Sequence, residues 1–142
     1  MTDEAGPIDP ARLGPMILDQ MLDAVILVDL DGVIRLWNRG AEVLFGYSAS
    51  EAIGSPLDLI VPQRMKAAHG AGFKAAVLSG HLKSHGKVLT TRANHKFGCR
   101  LYVDFSFGLL KDPAGTLLGV FAVGRDATAR HMEQLAMAAE TH

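Results

Sequence analysis

Apolar side chains fall at Leu13, Met16, Ile17 and Met21, a spacing of three to four that predicts an amphipathic helix over residues 10–21 despite Gly14 and Pro15. The pattern then shortens. Residues 24–29 and 33–37 are compact apolar-rich runs separated by Asp31-Gly32, a tight-turn dipeptide, and together they predict a β-hairpin. Helical grouping returns over 39–45, closed by Gly46, and again after Ser48. There Ser48-Ala49-Ser50-Glu51 spells a capping box, in which the serine hydroxyl and the Glu51 carboxylate each accept from the other's backbone N–H. Gly54 and Pro56 stop that helix. Pro62 introduces a longer helical segment over 64–79, and Gly80 is placed to end it. Strands are predicted at 87–92, 100–110 and 117–125, broken by a loop at 93–98 and by the turn Asp112-Pro113-Ala114-Gly115. An Ala/Met-rich helix follows over 128–140.

A hairpin, a cluster of short helices, one longer helix and a three-stranded meander predict an α+β domain. Its five-stranded antiparallel sheet should carry the short helices and the longer one on one face. The expected organisation is a flexible tail at 1–9, an N-terminal helix at 10–22, the folded domain at 23–127 and a C-terminal helix or linker at 128–142. Length allows one good core, and 49% hydrophobic with 20% charged residues at a net charge of -1 fits a folded soluble chain. Basic residues are scattered and aromatics are 6%, so neither a phosphate-tracking patch nor a series of stacking platforms is present and no nucleic-acid partner is expected. The strongest apolar stretches, 23–30 and 117–124, are far below membrane-spanning length, so no membrane partner is expected. The acidic N-terminus lacks the pattern of a secretory signal, which makes a cytoplasmic location the expectation. Cys99 is the only cysteine, excluding an internal disulfide framework.

Among side chains that carry chemistry, His69 stands out. It shares a helical face with Met65, Gly72, Phe73 and Ala76, which aims its imidazole inward. Gly70 and Gly72 beside it each cost about 1 kcal/mol relative to alanine in a helix interior. A flat ligand pressed against the helix explains the glycines, and neutral imidazole is a suitable iron ligand. The helix pattern alone is better served by a hydrogen-bonded core histidine with glycines that merely loosen the helix. No nucleophile with its base and no paired carboxylates are found, so an enzyme is not expected. His81 and His85 are four apart, but in a glycine-bounded loop, a poor platform for zinc.

The segments DAVILVDLDGVIRLWNRGAEVLFGYSASEAIGSPLDLIVP at 23–62 and GVFAVGRDATAR at 119–130 resemble PAS (Per-Arnt-Sim) domains, and the likeness covers about residues 18–130. It rests on Asn38, Ala41, Glu42, Phe45, Gly46 and Tyr47 after the hairpin, and on Asp126-Ala127-Thr128 after the last strand. Asp126 and Thr128 are suited to cap the helix that follows. Within that family, IVPQRMKAAHGAGFKAAVLSGH resembles the haem-binding PAS domain of FixL-type oxygen sensors.

The resemblance implies haem b with His69 as the axial iron ligand. It implies His81 as a propionate partner, with Lys74 or Lys83 also in reach. Met65, Gly72 and Phe73 belong to the helix side of the pocket, and Leu82, Val88, Leu89, Phe105 and Phe107 to its apolar lining, Ser106 being turned away by strand alternation. Lys87 stands where a FixL-type sensor carries an arginine that hydrogen-bonds oxygen, and the exchange is not conservative. The implied signal is therefore O2, CO or NO, or a redox state. Blue-light flavin PAS domains place a reactive cysteine in the segment matching 54–62, which has none here.

A homodimer through the terminal helices, with Met16, Met21, Leu135 and Met137 as contacts, and a signalling effector are the partners implied. Only 14 residues follow Thr128, so either an excised input domain or a free-standing haem protein is expected. The alternative to a haem sensor is a haem-free PAS dimerisation module, or one that binds another small ligand.

Overall fold

The computed structural model describes residues 9–140, so the predicted tail lies, apart from Asp9, outside the described residues. The Asp31-Gly32 signal closes a hairpin between β1 (Ala24–Val28) and β2 (Ile34–Trp37). Asp29 Oδ1 accepts from the N–H groups of Asp31 at 2.9 Å and Val33 at 3.0 Å, and Gly32 takes a φ of 80° that a side chain would resist. Helices α1 (Pro10–Gln20), α2 (Arg39–Phe45) and α3 (Ala49–Ala52) form where predicted, and the Ser48–Glu51 capping box is complete. Two 3-10 turns, Leu57–Ile60 and Gln63–Met65, lead into α4 (Lys66–Ser79), which ends at left-handed Gly80. Strands β3 (Leu89–Asn94), β4 (Arg100–Lys111) and β5 (Leu117–Asp126) precede α5 (Thr128–Glu140).

The strands form one sheet in the order β2-β1-β5-β4-β3, every pairing antiparallel, as expected for this α+β class. The third strand is shifted from its predicted position. Lys87 and Val88 precede it, because the Lys87 N–H closes a turn onto the Ser84 carbonyl at 2.9 Å. At the other end Ala93 pairs with Leu101 and Asn94 with Arg100, so pairing carries the strand into the predicted loop. The long helix likewise starts later, its first turn taking the tighter 3-10 form after Pro62.

Alternation puts Ala24, Ile26 and Val28 of β1 into the core. Register sets Ile26 beside Trp37 and Ala122, and Ala122 beside Phe107, so one inner row crosses four strands. Phe45, fully buried on α2, contacts Trp37 at 5.4 Å and stacks with Phe105 at 6.4 Å between ring centroids. Buried Asn38 joins three elements. Its Oδ1 accepts from Val25 N–H (2.8 Å) and Ala41 N–H (3.0 Å), and its Nδ2 donates to the carbonyls of Leu18 (2.7 Å) and Asp23 (3.0 Å). Asn38→Asp keeps both acceptors but sets a carboxylate oxygen against two carbonyls. It is expected to destabilise the chain by about 3 kcal/mol in urea unfolding, from two lost donors and unpaired buried oxygens.

The α5 junction divides its work. Asp126 Oδ1 accepts from Thr128 N–H at 2.9 Å, whereas Thr128 Oγ1 ties the helix to β4, accepting from Tyr102 N–H at 3.0 Å and donating to its carbonyl at 3.3 Å. Arg130 then grips Asp104 through both nitrogens, at 2.5 and 2.8 Å, and Thr90 donates to the same carboxylate. Hydrogen bonds from Arg130 and then Thr90 bring the Asp104 pKa down to about 2. A depressed folded-state pKa stabilises above the unfolded value near pH 4, and that contribution is lost as pH falls toward about 2. Asp104→Asn should therefore lower the urea midpoint at pH 6, and the gap to the unaltered chain should close by pH 2. None of the described helices is long and apolar enough to cross a membrane.

Candidate functional site

Between α4 and the sheet lies a cleft of about 80 Å3. Its floor is Ile26, Phe105, Phe107 and Ala122, four inward positions of adjacent strands. Leu57, Ile60, Val61, Pro62 and Met65 of the 3-10 turns close one side, His69 comes from α4, and Thr91, Arg92 and Ala93 come from β3. The Arg92 guanidinium sits over the Tyr102 ring, 5.8 Å from its centroid. Arg92 and Tyr102 are cross-strand partners on the sheet's other face, so Arg92 offers the cleft only backbone.

The His69 side chain is half-buried and takes no hydrogen bond among the described residues. Burial pushes its pKa below the ordinary histidine value, with the Asp58 carboxylate partly opposing. The imidazole is accordingly neutral near pH 7, with a lone pair free for a ligand. The alternative the helix pattern favours, a core histidine hydrogen-bonded to the protein, has no such partner among the described residues. Thr91 is half-buried on the inward side of β3, opposite fully buried Val103, and its hydroxyl is also without a hydrogen bond among the described residues.

Of the residues singled out in the sequence, Met65, His69, Phe105 and Phe107 meet at this cleft. Phe73 is half-buried against the core, near Gly32, outside the lining. Gly72 is exposed, and a Cβ at Gly70 or Gly72 would meet no atom within 4 Å, so protein packing does not require either glycine. Leu89 pairs with Phe105 and shares its inward face, yet stays 43% exposed beyond the cleft's edge. Leu82 is half-buried in the loop after α4, and Val88 is exposed. His81, Lys83, His85 and Lys87 are exposed on the same loop, and Lys74 on α4. Sequence reasoning missed Ile26, Leu57, Ile60, Thr91 and Ala122; alternation extended through β1, β3 and β5 would have found three of them.

A wider groove of about 700 Å3 lies elsewhere, lined among others by Asp23, His95, Cys99, Arg100 and Arg125. Exposed Cys99 there sits 3.5 Å from His95 Nδ1. Among the described residues no three His, Cys, Asp or Glu side chains converge on a common point.

Residues 18–132 match the sequence family described as the PAS fold. The sensor protein FixL of Bradyrhizobium diazoefficiens is 40% identical over 53 residues, 37% of this chain and 10% of FixL. The oxygen sensor protein DosP of Escherichia coli is 27% identical over 111 residues, 78% of this chain and 14% of DosP. The chain thus corresponds to a small part of either protein. The crystal structure of a PAS domain from Colwellia psychrerythraea superposes with a TM-score of 0.72 at 24% identity, over 83% of this chain and 97% of that one. An RNA-binding light-oxygen-voltage receptor gives a TM-score of 0.66 at 19% identity, over 100% of this chain and 42% of the receptor. At such identities the two structures speak to fold alone.

Proposed function

This chain belongs to the PAS family, and on that premise we propose that it is a sensor domain that holds haem b through His69 and reports a diatomic gas (O2, CO or NO) or a redox state. The observation that carries the reading is the neutral, half-buried imidazole without a hydrogen-bond partner in an otherwise almost wholly apolar cleft. Haem supplies an iron centre that takes up small gases and exchanges an electron. His69 is the ligand to that iron. Met65, Ile26, Phe105 and Phe107 form dry walls, and His81, Lys74 and Lys83 at the solvent rim are the partners for two propionates.

A cleft of about 80 Å3 is smaller than the roughly 300–1,000 Å3 typical of small-molecule pockets. Uptake of a macrocycle would require α4 and the loop after it to move away from the sheet, where Ala76 is buried and Phe73 half-buried against the core. Leu89, inward-facing on β3 yet 43% exposed beyond the cleft's edge, supplies apolar surface for a bound group to cover.

The second reading, a haem-free dimerisation module, draws on the terminal helices. Neither α1 nor α5 has a buried residue, and Met16, Ile17, Leu135 and Met137 are exposed. Pairing of those helices between two copies, and relay to an effector, are compatible with either reading. Titration of ferric haem into the purified chain separates them. Saturation at one haem per chain, with a rise in the thermal midpoint as haem exceeds its Kd, is the expected result. An unchanged midpoint and no spectral saturation would leave the dimerisation module as the function.

A further inference from the structure

The wider groove of about 700 Å3 falls within the roughly 300–1,000 Å3 of small-molecule sites, and it shares no lining residue with the His69 cleft. It is bounded by α2, the two residues before β1, the start of β4 and the end of β5. Its apolar side is Leu22, Val43, Leu44 and Leu101. Leu22 and Val43 are 96% and 77% exposed, so the fold leaves both uncovered. Single exposed apolar residues are ordinary, but two on the walls of one groove give a bound molecule apolar surface to cover.

The charged groups of the groove are unequally engaged. Asp23 accepts from Arg125 Nε at 3.0 Å and Nη2 at 3.2 Å, and Asp126 Oδ1 accepts from Thr128 N–H at 2.9 Å. Both carboxylates are therefore occupied. Arg100 has no carboxylate among the described residues, and its guanidinium reaches only the Met132 sulfur, a weak acceptor, at 3.9 Å. His95 Nδ1 accepts from Phe97 N–H at 3.1 Å, which puts the ring proton on Nε2, and Nε2 has no hydrogen bond among the described residues. Donors are left over here and acceptors are not. We propose that this groove binds a small amphipathic carboxylate, its alkyl part against Leu22, Val43, Leu44 and Leu101 and its head on Arg100, with His95 as a second donor. The guanidinium fork matches the two oxygens of a carboxylate, so Arg100 selects an anionic head over a neutral or cationic one. The site is independent of the haem reading.

Decanoate, decanol and decyltrimethylammonium, each titrated into the full chain, test this by calorimetry and by backbone amide NMR shifts. Decanoate should saturate at one per chain and move the amides of residues 40–44 and 95–101. Decanol should bind about tenfold more weakly or worse, as the loss of a charge-assisted hydrogen bond implies, and the ammonium more weakly still. Arg100→Ala should weaken decanoate by a similar factor and leave decanol unchanged, with Arg100→Lys, which keeps the charge without the fork, in between. Val43→Asp, at an exposed position of α2, should weaken both. Equal affinity for decanoate and decanol, or decanoate binding unaltered in Arg100→Ala, overturns the assignment. So does the absence of saturable binding, or amide shifts confined to residues 65–73, which would put the molecule in the His69 cleft. The haem reading stands or falls on its own spectrum, whichever of these results is obtained.

Discussion

His69→Ala is expected to lose haem: purified beside the unaltered chain under the same haem supply, it should show little or no Soret absorption. Groups that merely orient a metal ligand change affinity by about 10–100-fold, so removal of the ligand itself should exceed the upper end of that range. Added imidazole should restore part of the absorption, because the substitution leaves a space of the right shape against α4. The same variant should keep its urea midpoint without haem, as the half-buried side chain makes no hydrogen bond to lose. Full haem affinity in His69→Ala would place the ligand elsewhere.

Phe45→Ala carries the largest expected effect on stability. The ring is fully buried and contacts both Trp37 and Phe105. Its loss removes transfer energy and leaves a cavity, together about 4 kcal/mol. For a domain of this size that corresponds to a fall in Tm of roughly 10–15 °C, measurable by calorimetry. Phe105 is also a wall of the cleft, so removing its stacking partner should loosen haem as well as lower stability. A Tm within a degree or two of the unaltered chain would contradict the packing described for α2.

Local signals carried most of the fold. Asp31-Gly32, the Ser48–Glu51 capping box, Gly46 and Gly80 each act within a few residues, and each fixes an element boundary where the sequence places it. The start of β3 was not legible because no local preference sets it. It depends on Leu89 meeting Phe105 across 16 positions of chain, while Lys87 is held in a turn by Ser84. That shift also explains the uneven reading of the site. Val88 and Leu89 are adjacent and cannot both face inward on a strand, and Val88 is the one left outside. Carrying the alternation forward from Leu89 reaches Thr91, which a reading guided by position within the family passed over.

The helix side divides in the same way. From half-buried His69 the inward side of α4 runs through half-buried Phe73 to buried Ala76, and Gly72 at its edge is exposed. Helical offsets alone do not say how wide a stripe the neighbouring elements will cover. His81 and Lys87 are exposed on the loop after α4, where no packing fixes a side-chain direction that the sequence could have announced.

An absorption spectrum of the chain purified with ample haem, taken oxidised, reduced and under CO, is the most direct test of His69 as a haem ligand in a gas-sensing PAS domain. The prediction is a Soret band in the oxidised protein that shifts on reduction and again with CO, since that absorption belongs to the cofactor itself. A colourless protein, or one with the spectrum of a flavin, would contradict it.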